Sequence, residues 1–156
     1  MTNAIETLES TNRTVLVRTA VSTVCALFVG AVLAISGFAH ASNPVYFLGS
    51  IVQYGIFPST LARWIGATLP WIEIGLASML LLSLNRHYAF IASALLAICF
   101  VGMQSWALLR GLKIDCGCFG SLTSHPIGAF SYSIAVGLGG LSLVGLFGLP
   151  QIEKEL

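Results

Sequence analysis

Two cysteines separated by a single glycine, Cys116 and Cys118, lie in a polar stretch between two apolar segments. Thiols this close in sequence can form a disulfide, and Gly117 permits the unusual dihedral angles that such a tight turn requires. A ring this short is expected to strain the bond away from favoured disulfide geometry. Strained, exposed disulfides exchange readily with other thiols. The spacing therefore predicts Cys116 and Cys118 as a redox-active pair.

Charged neighbours would tune this pair, because Arg110 and Lys113 favour a thiolate whereas Asp115 opposes one. Three other interpretations stay open: a structural disulfide that closes the loop, a soft-metal site completed by His125, and no role. The metal site is disfavoured, because zinc-binding cysteine pairs usually have wider spacing and no second surface pair is present. Cys25 and Cys99 fall within apolar segments, where we expect inert core residues.

Glu73 is the other residue whose chemistry stands out, since it lies near the middle of a long apolar segment. Ionisable groups at membrane depth are costly and usually face the interior of a helix bundle. We expect Gln104 or Arg110 as its partner. Two interpretations stay open: a protonated carboxyl that joins helices, and a proton- or quinone-linked role. His40 and His87 lie near the ends of apolar segments and are expected at the interface.

The composition shows what kind of protein must position these residues. Only 8% of the 156 residues are charged, 56% are hydrophobic, and the mean hydropathy is +0.91. Soluble domains carry about 25% charged residues, so this chain has too few to cover a soluble surface. A net charge of +1 gives no indication of a nucleic-acid partner. The chain is therefore expected to be an integral membrane protein.

Four apolar segments are each long enough to cross a hydrocarbon core of about 30 Å as a helix. Backbone groups in lipid must be satisfied internally, which favours helices over strands. We predict one all-α membrane domain over residues 1–156, a four-transmembrane-helix bundle preceded by a polar tail at 1–14. The predicted spans are residues 15–39, 59–84, 88–109 and 127–149.

The first span has a rival interpretation as a cleaved signal peptide. Arg13 and Arg18 precede an apolar run, and Ala39-His40-Ala41 resembles a cleavage site. Apolar regions of signal peptides typically cover about 7 to 15 residues. This run is longer, which favours a retained span.

Two further elements are predicted around the spans. Asn43-Pro44 has the pattern of a helix start, so residues 44–54 are expected to form a short interfacial helix. Its aromatic anchors would be Tyr46, Phe47 and Tyr54. The last span carries small residues at helical spacing, which we expect to pack inside the bundle. These residues are Ala129, Ser133, Gly137 and Gly140.

The flanking charges predict an orientation in a bacterial-type inner membrane. With both termini cytoplasmic, four basic residues lie inside and three outside, and the arginines before the first span decide the choice. The inside residues are Arg13, Arg18, Arg86 and Lys154, and the outside residues are Arg63, Arg110 and Lys113. The loop with Cys116 and Cys118 is then outside.

Several motifs resemble the methylamine-utilisation E (MauE) family of DoxX-like membrane proteins. They are Ser36-Gly37, Asn43-Pro44, Leu69-Pro-Trp-Ile-Glu73, and Arg110-Gly111 leading to Asp115-Cys-Gly-Cys-Phe-Gly120. The resemblance covers residues 15–148 and implies a four-helix membrane protein linked to thiol redox. It also implies association with thioredoxin-like proteins and with maturation of disulfide-containing electron-transfer enzymes. Relatives tend to carry lysine where this sequence has His40.

Two functional hypotheses follow. In the first, the chain is a membrane thiol–disulfide oxidoreductase that exchanges electrons with a thioredoxin-like partner or a client protein outside the cytoplasm. Thiol exchange requires no cofactor, although a membrane quinone is a candidate electron acceptor. In the second, the chain is a non-catalytic accessory subunit of a larger membrane electron-transfer complex, which its small extramembrane mass favours.

Overall fold

The computed structural model describes residues 2–112, 114 and 128–149, which form five helices with no strand among them. The helices are α1 (Thr2–Ser42), α2 (Pro44–Gln53), α3 (Ser59–Leu81), α4 (Arg86–Leu109) and α5 (Ala129–Gly148). Four are long and apolar enough to cross a membrane, namely α1 over Asn12–Ser42, α3, α4 and α5. The predicted all-α fold, with four spans and a short helix after the first, is confirmed.

Helix α1 begins well before the predicted span. The polar segment predicted as a tail is helical from Thr2. Glu9 and Arg13 lie one turn apart on this segment and form an exposed ion pair, with Oε1 and Nη2 separated by 3.4 Å. Pairs at this spacing stabilise helices without any apolar periodicity, so the hydropathy pattern did not reveal this part of α1.

The turn between α3 and α4 is also displaced from its predicted position. Helix α3 ends at Leu81 rather than Leu84, because Ser83 and Asn85 take left-handed backbone conformations with φ of 60° and 45°. Arg86 then begins α4. Its guanidinium donates hydrogen bonds to Thr23 Oγ1 at 3.1 Å and to Ser83 Oγ at 2.6 Å, which fixes the turn against α1.

Helix α2 begins as the sequence predicts. The Asn43 side chain accepts a hydrogen bond from the Tyr46 backbone N–H at 3.3 Å, and Pro44 is the first helical residue. The pyrrolidine ring suits this position because the first-turn N–H groups have no partner within a helix.

The predicted membrane anchors on and after α2 are wrong for two of the three aromatic residues. Phe47 and Tyr54 are buried, and Phe47 packs with Ile51 and Ala62 between α2 and α3. Burial also raises the pKa of Tyr54 to about 12, so its hydroxyl stays protonated. Phe47 of α2 and Tyr54, which follows that helix, therefore face the protein.

Helix α1 packs against both α3 and α5, and α4 packs against α5. Helix α1 approaches α3 closely at Gly37. A methyl group there would lie 2.9 Å from Ile74 Cγ1, 3.0 Å from Glu73 Cβ and 3.0 Å from the Pro70 carbonyl oxygen. The absence of a side chain at Gly37 lets the two helices meet at the level of Glu73.

We expect Gly37→Ala to destabilise the bundle by about 1 to 3 kcal/mol, the usual cost of overpacking a core. Gly75→Ala is the matched control, since a methyl group there would meet nothing within 4 Å. Thermal unfolding of both variants in one detergent measures the difference. Equal midpoints for the two variants would contradict the close α1–α3 contact.

The small residues of α5 do not pack inside the bundle as predicted. Ala129, Ser133, Gly137 and Gly140 are exposed, and a methyl group at either glycine would meet no atom within 4 Å. Helical spacing fixes which residues share a face but not which face turns inward. The buried face of α5 consists instead of Ser131, Ala135, Leu138, Ser142, Gly145 and Gly148.

Candidate functional site

Glu73 lies fully buried on α3, with 0% of its surface exposed. The prediction that it faces the bundle interior is therefore confirmed. Gly37 brings α1 close enough for side chains one turn apart on that helix to reach the carboxyl group. Those side chains belong to Ser36 and His40.

Both carboxyl oxygens of Glu73 have hydrogen-bond partners on α1. The Ser36 hydroxyl donates to Oε1 at 3.2 Å, and His40 Nδ1 lies 2.8 Å from Oε2. His40 is also fully buried, and its ring stacks on Phe47 of α2 with centroids 3.8 Å apart. Helix α2 thus closes one side of a buried carboxyl–imidazole pair.

The partners predicted for Glu73 came from the wrong helix. Arg110 is exposed at the end of α4, where its guanidinium lies 4.4 Å from the centroid of the Trp106 ring. Gln104 is buried and lines the same cavity as Glu73. The prediction that His40 is interfacial is also wrong, because the carboxyl of Glu73 offers it a polar partner inside the bundle.

A cavity of about 30 Å³ adjoins Glu73. Four of its lining residues have polar side chains, one from each of α1, α3, α4 and α5. They are Ser36, Glu73, Gln104 and Ser131. A buried water needs roughly 10 to 15 Å³ and two to four polar partners. The wall that this cavity exposes is almost entirely apolar, so the cavity is large enough for a water but does not offer that set of partners. Small-molecule sites usually measure about 300 to 1,000 Å³, which makes the cavity too small for a quinone ring.

The predicted redox pair belongs to the segment that joins α4 to α5 in the chain order. Cys116, Cys118, Asp115 and Lys113 lie outside the described residues, as does His125 of the alternative metal site. The chain order puts this segment between the end of α4 and the start of α5. Gln104 lies in the last turns of α4 and Ser131 in the first turn of α5. The cavity beside Glu73 therefore lies towards the end of α4 and the start of α5.

The two remaining cysteines lie in membrane spans. Cys25 is buried in the core, as predicted, whereas Cys99 is exposed on α4, so its predicted core position is wrong. A small apolar side chain is equally compatible with lipid and with a protein core, and the sequence therefore did not distinguish them. Among the described residues, no three His, Cys, Asp or Glu side chains are grouped as metal ligands.

Sequence reasoning missed His40 and Ser36 as partners of Glu73. The signal was present, since the two residues are four apart and therefore share a face of α1. A buried acidic residue on one span requires a polar face on a neighbouring span, and this face of α1 was available.

Comparison with known proteins gives family-level matches. Residues 18–149 match the family model described as methylamine utilisation protein MauE. The methylamine utilization protein MauE of Methylophilus methylotrophus is 35% identical over 119 residues, which cover 75% of this chain and 63% of the relative. Its namesake from Paracoccus denitrificans is 30% identical over 125 residues, which cover 80% and 64%. The alignments thus span less than two thirds of either relative, and no solved structure matches the chain.

Proposed function

We infer a function for this chain from the fact that it belongs to the methylamine utilisation protein MauE family. Its relatives are named for methylamine utilisation, and we propose the same process for this chain. Within it, we propose that the chain is a membrane thiol–disulfide oxidoreductase. Cys116 and Cys118 exchange electrons with a thioredoxin-like partner or a client protein outside the cytoplasm.

The observation that carries this proposal is the distribution of the four cysteines. Cys25 and Cys99 lie within membrane-spanning helices, one in the core and one on the outer surface of α4. Cys116 and Cys118 lie between the last two spans in the chain order. They are therefore the two thiols best situated for a protein partner in the aqueous phase.

The exchange balances without a cofactor. A thiolate of the reduced pair attacks the disulfide of the partner, forming a mixed disulfide and releasing one partner thiolate, which takes up a proton. The second cysteine loses its proton and attacks the mixed disulfide. The products are the Cys116–Cys118 disulfide and the partner dithiol, so two electrons have moved to the partner. The reverse sequence oxidises the partner.

Replacing both Cys116 and Cys118 by serine tests the proposal, and loss of partner oxidation or reduction is the expected result. Cys99→Ser is the matched control because that thiol lies on the surface of a membrane span. Unchanged partner chemistry in the double variant would contradict the redox role.

The accessory-subunit hypothesis has its own supporting observation in the exposed small residues of α5. A face of this kind lets another membrane helix approach closely. An accessory subunit would tolerate serine at both positions 116 and 118. It would instead lose its complex when Gly137 is replaced by leucine, and these outcomes separate the two hypotheses.

We propose that the chain lies in a bacterial-type inner membrane with both termini in the cytoplasm. Single-cysteine variants in intact cells, treated with a membrane-impermeant thiol reagent, test this orientation. Labelling is expected at position 118 and absent for Arg86→Cys, because the two positions flank opposite ends of α4. Labelling at position 86 but not at 118 would reverse the orientation.

A further inference from the structure

A groove on the surface of α4 extends from the middle of the helix towards its last turn. Ile56 and Phe57, which connect α2 to α3, form one wall. The other wall consists of residues at helical spacing on one face of α4, namely Cys99, Gly102, Met103 and Trp106. The groove has a volume of about 370 Å³ and is almost entirely apolar. Small-molecule sites usually measure about 300 to 1,000 Å³, so the groove is large enough for a ligand.

Gly102 keeps this groove open. A methyl group at this position would meet no atom within 4 Å, so the space beside the helix stays free between Cys99 and Trp106. Cys99 is exposed, and Trp106 exposes 41% of its surface. Helix α4 is long and apolar enough to span a membrane, so this exposed surface faces lipid. The acyl chain of a membrane lipid is therefore the apolar group that fits the groove.

A basic side chain lies beside the end of the groove. The guanidinium carbon of Arg110 is 4.4 Å from the centroid of the Trp106 ring, within the range of a cation–π interaction. Tryptophan and arginine near the end of a span typically lie at the level of the lipid headgroups. A guanidinium over an aromatic ring keeps its N–H groups free in its own plane, where two of them can bind the oxygens of one phosphate.

The charges around Arg110 favour an anionic headgroup. Neither of the two ion pairs among the described residues involves Arg110. Of the acidic side chains that the structure describes, Glu73 is fully buried in the bundle. The other, Glu9, precedes the point where the start of α4 contacts α1 at Thr23, so it lies at the opposite end of α4 from Arg110. No described carboxylate therefore competes with a phosphate for this guanidinium.

We infer that the groove on α4 is a binding site for an anionic phospholipid. One acyl chain lies along the helix from Cys99 to Trp106, a distance of about 10 Å at 1.5 Å per residue. The phosphate of the same lipid binds the guanidinium of Arg110. The site uses neither Glu73 nor the thiols of Cys116 and Cys118, so it is independent of the redox proposal.

Trp106 can report directly on the lipid, because bromine atoms on an acyl chain quench tryptophan fluorescence on contact. Trp64→Phe and Trp71→Phe remove the two other tryptophans, which are both exposed, and leave Trp106 as the only one. The purified full chain with these changes is reconstituted in phosphatidylcholine vesicles. They contain either brominated phosphatidylglycerol or the same fraction of brominated phosphatidylcholine. We expect a preference of about fivefold for phosphatidylglycerol, the effect of one basic residue on an anionic lipid.

Two variants with matched controls test the two halves of the site. Arg110→Gln should abolish the preference, and Gly102→Leu should abolish most of it by filling the groove. Arg13→Gln removes the same charge at the other end of the bundle, and Gly75→Leu also adds a side chain in open space, so both should keep the parental preference. Equal quenching by the two lipids in the parent, or an unchanged preference in Arg110→Gln or Gly102→Leu, would overturn the lipid site.

Two other occupants of the groove would give different results. A preference that survives in Gly102→Leu and is abolished by inorganic phosphate would show that Arg110 binds an anion without a lipid chain. Weak quenching by both lipids, together with oxidative cross-linking of two copies that is absent from Cys99→Ser, would show that a second copy covers the groove. Either result would overturn the proposal.

Discussion

Glu73→Leu is expected to destabilise the helix bundle by about 1 to 3 kcal/mol. The substitution removes the carboxyl group that takes part in two interhelical hydrogen bonds, one with Ser36 and one with His40. Such bonds within membranes average about 0.6 kcal/mol and reach about 1.7 kcal/mol each. The loss of stability should be near the upper end of the range of about 1 to 3 kcal/mol, because His40 is fully buried and loses its carboxyl partner.

Glu73→Gln is the matched variant, since an amide keeps the shape and the hydrogen-bonding capacity of the carboxyl group. It should unfold close to the parent, whereas Glu73→Leu unfolds at lower temperature or lower denaturant concentration. Equilibrium unfolding of the three proteins in one detergent measures the difference. A leucine variant as stable and as functional as the parent would exclude both a structural and a proton-linked role for this residue.

The burial of Glu73 could be predicted from the sequence, but the cost of a carboxyl group within a membrane span does not identify the residues that partner it. A carboxyl in the middle of an apolar span must turn inward, whichever helices surround it. Its partner depends on which spans are adjacent, and hydropathy contains no such information. At the level of Glu73, α1 contacts α3 at Gly37, and this close contact is visible only from the positions of Ile74 and Pro70.

The last span shows a second limit of the same kind. Its length and apolar character predicted a membrane helix, and α5 covers Ala129–Gly148. Small residues occur on more than one face, with Gly137 and Gly140 on the outside and Gly145 and Gly148 against the bundle. Lipid and protein are both apolar surroundings, so polarity does not identify the inward face of a membrane helix as it does in a soluble protein.

Cys118→Ser is expected to convert a transient exchange intermediate into a stable one. Attack by Cys116 on a partner disulfide forms a mixed disulfide, and only the second cysteine of the pair can release it rapidly. Without Cys118 the chain should remain covalently attached to its partner. In the parent, Cys118 resolves the mixed disulfide quickly, because attack by a cysteine on the same loop is intramolecular. We therefore expect almost no trapped partner in the parent and nearly complete trapping in Cys118→Ser. Cys99→Ser should trap nothing, since that thiol lies on a membrane span.

The most direct test of the redox account is a non-reducing gel of membranes from the two single-serine variants, the double variant and the parent. The account predicts a higher-mass band in Cys118→Ser that contains this chain and a second protein, disappears on reduction, and is absent from the double variant. Trapping by neither single variant, together with parental behaviour of the double variant, would contradict the redox role and favour an accessory subunit.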